Sequence, residues 1–350
     1  MSLKVSGLTK YYGEKQVVDH LSFEMHQGGV YALLGTNGAG KTTSIRMILG
    51  MLARDGGQVL WNGKELTTAN CNVGYLAEER GLYPKYPLMD QLMYFAALRG
   101  VPRDVARRRI GELAGYLAVE EYLYPPKKPS RLDLALEKRR GPAPAAQPIG
   151  KLVGKSLKAD QLSKGNQQKI QLMAALISDP ELIVLDEPLS GLDPVNAELF
   201  KKIIRREVEK GKYIIMSSHQ MATVEEFCTD ITILDRSKTV LQGHLNDIKK
   251  SYGRVNLRLK AEQDVSRWIE QAGAHVVSQK EWEYEIKVTG EEQANALLRQ
   301  LIDAGVHLVA FDLREPSLNE IFVEKVGRQD ERARIRGNRR SVPVHPETVS

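Results

Sequence analysis

The chain has 350 residues, 42% of them hydrophobic and 27% charged, a balance that suits a globular protein and favours two domains over one. No window approaches the roughly 18 consecutive apolar residues of a membrane-spanning helix, and Met1 to Lys10 lacks the apolar core of a secretion signal, so a cytoplasmic chain is expected. The net charge of +6 is uneven: nine Lys or Arg face two acids in 125–158 and six Arg face two acids in 328–340, leaving a mildly acidic remainder that does not suggest a specific nucleic-acid groove.

Along the chain, Leu21, Phe23 and Met25 alternate with Ser22 and Glu24, which predicts a half-buried strand over 16–25. Val30 to Leu34 is a second strand. It runs into Gly35-Thr36-Asn37-Gly38-Ala39-Gly40-Lys41-Thr42, after which Ile45, Ile48, Leu49 and Leu52 recur at helical spacing. Strand, glycine loop and helix in this order match a phosphate-cradling loop. Its backbone N–H groups face the phosphates, Lys41 reaches the β and γ phosphates, and the Thr42 hydroxyl binds Mg²⁺. Thr43, the next residue, is assigned to the same ATP site. Taken alone, the loop would equally serve a kinase, a GTPase or a motor.

Helical patterns follow over 89–118, with a break near Gly100-Val101-Pro102, and over 163–178. Between about 122 and 158 the prolines Pro125, Pro126, Pro129, Pro142 and Pro144 mingle with Lys and Arg, which reads as a flexible basic insertion. Leu182 to Leu185 is a short apolar strand that delivers Asp186 and Glu187 at its carboxyl end, where parallel sheets bind ligands. Downstream of a phosphate loop, these fit a carboxylate that holds magnesium through water (Asp186) and one that polarises the attacking water (Glu187). A helix over 195–210 and the strand Tyr213 to Met216 come next. Cys71 and Cys228 have no partners at metal-ligand spacing and read as plain buried residues.

A second composition shift comes at Ser251-Tyr252-Gly253. Beyond it lie strand 255–260, helix 264–272, strands near 275 and 284, helix 291–304 and strand 307–312, the order of a split β-α-β sandwich. From about Arg328 no periodicity remains, and a disordered basic tail over 328–350 is expected.

Leu162-Ser163-Lys164-Gly165-Asn166-Gln167-Gln168 resembles the signature sequence of ABC-type ATPases and stands just before the Asp-Glu strand. Ser190-Gly191-Leu192-Asp193 is similar to that family's D-loop, and His219 in Ser217-Ser218-His219 to its switch histidine. The resemblance covers about residues 1–245. It implies an α/β nucleotide-binding domain with a helical subdomain, followed by a small α+β, ferredoxin-like accessory domain over 254–326.

What the resemblance implies about the site goes further. Tyr12, or in second place Tyr11, would stack on adenine. Two ATPase subunits, identical or different, would pack head to tail, so that Ser163 and Gly165 of one meet the nucleotide in the other's loop. Asp193 would couple the two sites, and His219 would report the γ-phosphate. Val73-Gly74-Tyr75-Leu76-Ala77-Glu78 resembles the strand into the Q-loop, with Glu78 where a glutamine usually stands; its role is open between a magnesium contact and a structural or coupling one. Lys164 and Asn166 also depart from the usual signature.

The ending Pro316-Ser317-Leu318-Asn319-Glu320-Ile321-Phe322 and the Glu78 segment resemble ATPase subunits of exporters, some associated with sodium or drug efflux. Such a subunit would sit on the inner face of the membrane against integral permease subunits, docked through roughly 79–100. Two rivals stand beside it: a soluble ABC protein acting on ribosomes or nucleic acid, and a degenerate subunit that binds ATP without turning it over. Glu187 and His219 argue against the second.

Overall fold

Chain order and apolar patterning account for most of the architecture in the computed structural model, which describes residues 1–79, 81–125 and 155–326. Most of the 122–158 insertion, the residue Arg80 and the 328–350 tail lie outside the described residues. The rest falls into two compact units: residues 1–219 with 236–238, and residues 220–235 with those from 239 onward.

The first unit opens with strands β1 (Leu3–Tyr12) and β2 (Lys15–Met25), paired antiparallel. The sequence pattern does not predict β1, because its alternation breaks at a bulge between Val5 and Leu8, where Gly7 takes φ +62°. Strand β3 (Gly29–Gly35) follows, every residue buried, and leads into helix α1 (Lys41–Ile48). The apolar stripe predicted a helix reaching Leu52. It stops earlier because Gly50 turns left-handed at φ +68° and the Met51 and Leu52 amides fold back onto the Arg46 carbonyl.

Strands β4 (Gly56–Trp61) and β5 (Lys64–Glu65) complete a sheet of order β2-β1-β4-β5. Strand β6 (Val73–Leu76) precedes the helical region α2 (Leu88–Leu98), α3 (Arg103–Leu117), α4 (Glu120–Leu123) and α5 (Lys164–Leu176). The expected break after α2 is present, with Gly100 at φ +69° and Pro102 at the cap of α3. Strand β7 (Leu182–Leu185), helix α6 (Pro194–Glu209) and strand β8 (Tyr213–Ser218) close the unit.

Strands β6, β7, β8 and β3 run parallel, paired in that order. β3, β7 and β8 are buried along their whole length, as a parallel sheet covered on both faces requires. Because all four point the same way, the segments that leave them gather at one edge: the glycine loop, Asp186 and Glu187, His219 and Glu78. Sequence order alone does not bring these together.

The second unit starts with α7 (Met221–Glu225), β9 (Asp230–Asp235), β10 (Lys238–His244) and α8 (Leu245–Tyr252). Then come β11 (Asn256–Ala261), α9 (Ser266–Gln271), β12 (His275–Lys280), β13 (Glu283–Lys287), α10 (Glu291–Asp303) and β14 (Leu308–Arg314). Their sheet has the order β12-β13-β11-β14 with antiparallel neighbours, the expected split β-α-β arrangement. Leu257, Leu259, Ile269, Ile286 and Leu297 form its core. The 316–322 segment opens a final helix whose Leu318 and Ile321 are fully buried, and the Ser317 hydroxyl donates to Glu320 at 2.7 Å. Cys71 and Cys228 are free and buried. No helix among the described residues is long and apolar enough to cross a membrane.

Candidate functional site

The loop from Gly35 to Thr42 curls because its glycines take conformations closed to other residues: φ is +79° at Gly38 and +106° at Gly40. A Cβ on Gly40 would lie 2.5 Å from the Val17 carbonyl oxygen, so both conformation and space demand glycine there. Thr36, Asn37 and Gly38 are exposed, Ala39 is buried, and Thr43 is half-buried in the first turn of α1.

Lys41 is only 6% exposed. Its ammonium donates to the carbonyls of Gly35 and Thr36 at 2.9 and 3.2 Å, and lies 3.3 Å from Glu187 Oε1 as an ion pair without hydrogen-bond geometry. The Thr42 hydroxyl donates to Asp186 Oδ1 at 3.2 Å, joining residues 144 positions apart. The Ser217 hydroxyl donates to the same oxygen at 2.5 Å and accepts from the Glu187 amide at 2.8 Å. Glu187 itself holds φ +49°, a left-handed conformation costly for a side-chain-bearing residue, and its Oε2 lies 2.8 Å from Nδ1 of His219.

Burial pushes the Asp186 carboxyl above its ordinary range, against the opposing hydrogen bonds from Ser217 and Thr42. Its second oxygen, Oδ2, is buried with no hydrogen-bond partner. A buried carboxylate oxygen left over beside a threonine hydroxyl and a lysine fits a hydrated divalent cation bound to a triphosphate. Among the described residues no group of three His, Cys, Asp or Glu side chains could hold a metal by itself. Glu78 is exposed and lines one groove with Glu187, Lys164, Gln168 and Ser190.

Ser163, Gly165 and Asp193 form a separate group. Ser163 caps α5, accepting from the Asn166 amide at 3.3 Å. Asp193 caps α6, accepting from the Asn196 amide at 3.0 Å, a bond that holds its carboxyl below the ordinary range. A Cβ on Gly165 would come within 3.3 Å of the Asn196 side chain and 3.4 Å of Leu192, so glycine lets the signature helix approach the D-loop. Ser163 and Asp193 are exposed, and neither bonds to the phosphate loop. Tyr12 and Tyr11 close β1 at 54% and 43% exposure, the Lys10 ammonium standing 5.9 Å from the Tyr12 ring centroid.

Sequence reasoning passed over Ser217, which was quoted only as a neighbour of His219. It is fully buried and ties the Asp186 carboxylate and the Glu187 amide to β8. Its one signal was a small polar residue at the carboxyl end of an apolar strand.

A family model described as ABC transporter matches residues 18–190, and one described as the C-terminal domain of DrrA1-3-like ATP-binding proteins matches 243–326. The chain is 37% identical over 328 residues to the uncharacterized ABC transporter ATP-binding protein YhaQ of Bacillus subtilis, spanning 93% of this chain and 98% of that one. It is 27% identical over 338 residues to the linearmycin resistance ATP-binding protein LnrL of the same organism, again spanning 93% and 98%. A solved structure of an ATP binding subunit of an ABC transporter superposes with a TM-score of 0.58 at 26% identity, covering 72% of this chain and 93% of the other. These relatives lend no support to the ribosomal or nucleic-acid alternative.

Proposed function

The chain belongs to the ABC transporter family as an ATP-binding subunit that hydrolyses ATP, and on that premise we propose that its turnover drives export through separate integral membrane subunits. The observation that carries the site assignment is the convergence of Lys41, Thr42, Asp186, Glu187 and His219 within hydrogen-bond or ion-pair distance at one sheet edge.

Lys41 exchanges the Gly35 and Thr36 carbonyls for the β and γ phosphates, while the loop amides from Gly35 to Thr43 cradle the chain of phosphates. Tyr12 stacks on the adenine. Mg²⁺, when bound, would draw negative charge from the triphosphate oxygens; Thr42 and Asp186 would hold it, Asp186 through water, and the exposed Glu78 is open to a contact with it or to a structural or coupling role. Ser217 holds Asp186 by Oδ1 and leaves Oδ2 for this role.

Glu187 orients and polarises the attacking water. Its carboxylate is held by the Lys41 ion pair and His219, and its backbone amide by Ser217. His219 reads the γ-phosphate, and the loss of that group frees it. Ser163 and Gly165 serve the nucleotide of a second ATPase subunit, and Asp193 couples the two sites. Ser163 and Asp193 are exposed and bond to their own helix starts rather than to the phosphate loop, which favours this reading.

The permease subunits dock along 79–100, where Leu82, Phe95 and Leu98 line an apolar groove of about 340 Å³ beside β6, with the chain held at the inner face of the membrane. Outward transport is favoured by the linearmycin-resistance relative, whose name describes protection from a compound.

Glu187→Gln tests the assignment. Turnover should fall by roughly 10²–10⁴, and an ATP-dependent dimer should accumulate in size-exclusion chromatography. A variant that stays monomeric with ATP and hydrolyses it at the normal rate would overturn the role of Glu187.

A further inference from the structure

Next to the apolar groove, the sequence places three tyrosines and a carboxylate within twelve residues: Tyr83, Tyr86, Asp90 and Tyr94. In the fold these line one concavity of about 440 Å³ together with Gln91. The rings are 52%, 63% and 51% exposed, far more than aromatic side chains in a packed core. Asp90 is exposed on the first turn of α2 and makes no hydrogen bond or ion pair among the described residues.

The concavity is built rather than incidental. Gln91, 3% exposed, donates from Nε2 to the carbonyls of Tyr83 and Tyr86 at 3.0 and 2.9 Å and accepts from the Tyr83 amide at 2.8 Å. One buried side chain thus clamps the 83–86 segment onto α2. The Asp160 amide adds a bond to the Pro84 carbonyl at 3.0 Å. Tyr83 meets Tyr86 edge to face at 5.9 Å and stacks with Phe95 at 6.4 Å, and Tyr94 meets Phe95 at 5.9 Å. The backbone that carries Tyr83 and Tyr86 is held before any ligand arrives, which lowers the ordering cost of binding.

Three exposed tyrosine rings beside a carboxylate that has no partner among the described residues make an aromatic cage, and the group that satisfies both is a cation. We propose that this cage receives a lysine or arginine side chain from a cytoplasmic segment of the membrane subunit, whose apolar residues lie in the adjoining groove. The inference rests on the transporter reading and names the chemistry of its docking contact. Cytoplasmic segments of membrane proteins carry an excess of Lys and Arg. Phe95 lines the groove and touches both Tyr83 and Tyr94, so groove and cage are continuous. A short amphipathic helix would lay its apolar face in the first and place one basic residue in the second.

The test uses the full chain and three labelled, end-blocked amphipathic peptides that differ at one central position: lysine, norleucine or glutamate. By fluorescence anisotropy at low salt, the lysine peptide should bind about tenfold more tightly than the norleucine one, and the glutamate peptide least. Asp90→Asn should remove most of that preference. Tyr94→Leu, which keeps apolar bulk and helix propensity, should reduce it further while leaving norleucine binding intact. Thermal melts of both variants check folding.

Equal binding of the lysine and norleucine peptides, or a lysine preference that survives both substitutions, would overturn the cage. A preference seen only after residues 126–154 are deleted would also overturn it, since the cage would then hold this chain's own basic segment. Failure of the cage is read separately from failure of the ATPase assignment, which the Glu187→Gln dimer assay addresses.

Discussion

Two aspartates, one in each unit, occupy opposite environments. Asp186 in the first unit is buried, its carboxyl is raised by desolvation, and one of its oxygens has no partner. Asp264 in the second is exposed and accepts from the Ser266 amide and hydroxyl and from the Tyr284 hydroxyl at 2.9, 2.6 and 2.7 Å, which holds its carboxyl down at about 2. Asp264 has what a carboxylate wants, and Asp186 lacks it. The same contrast extends outward from both. Around Asp186 lie a left-handed glutamate and a buried lysine; around Asp264 lie a helix start and a closed apolar core. Unpaired groups and backbone strain gather where a ligand will complete them, and satisfied groups where stability is the task.

The sharpest way to break this contrast is to remove the charge that the first unit keeps in reserve. Lys41→Met should lower ATP turnover by roughly 10³ in a steady-state phosphate-release assay and leave the unfolding of the second unit unaltered. Near-normal turnover would mean that the buried ammonium is structural.

The converse change lies in the second unit. Leu297 is fully buried in the accessory core, and Leu297→Ala should cost about 3 kcal/mol in urea denaturation while ATP binding is retained. Loss of nucleotide affinity in the native variant would show that the division of labour is wrong.

The smallest effect belongs to the Asp264 bond. Tyr284→Phe should lower the urea midpoint less than Leu297→Ala does, and it should change the acid limb of stability. Because the folded carboxyl sits at about 2, below its ordinary value of 3.8, its contribution is present above the ordinary value and fades as pH falls toward the lower one. Denaturation midpoints measured across that window should fall less steeply in Tyr284→Phe than in the parent. Parallel curves would remove Asp264 from the account.

Legibility in the sequence followed how local each cause is. Leu182 to Leu185 is a strand in pattern and in fold, because a short, wholly apolar run has one way to be buried in a parallel sheet. Gly38 and Gly40 announce the phosphate loop because their conformations are open to glycine alone. β1 escaped because a bulge breaks its period, and the end of α1 was misplaced because Gly50 acts on the backbone without disturbing the apolar stripe. Ser217 carried only its place at the carboxyl end of an apolar strand. The cage at Tyr83, Tyr86 and Tyr94 was invisible for a related reason: its ring positions depend on Gln91, whose three bonds depend on the loop returning to α2.

By itself, then, the sequence determined the phosphate loop with its flanking strand and helix and the order of elements beyond Tyr252, since each rests on spacing within a few turns of chain. Only the tertiary structure decided which site residues act together. Thr42 meets Asp186 across 144 positions and His219 meets Glu187 across 32, because four parallel strands end at the same edge and no local pattern records which strands are neighbours.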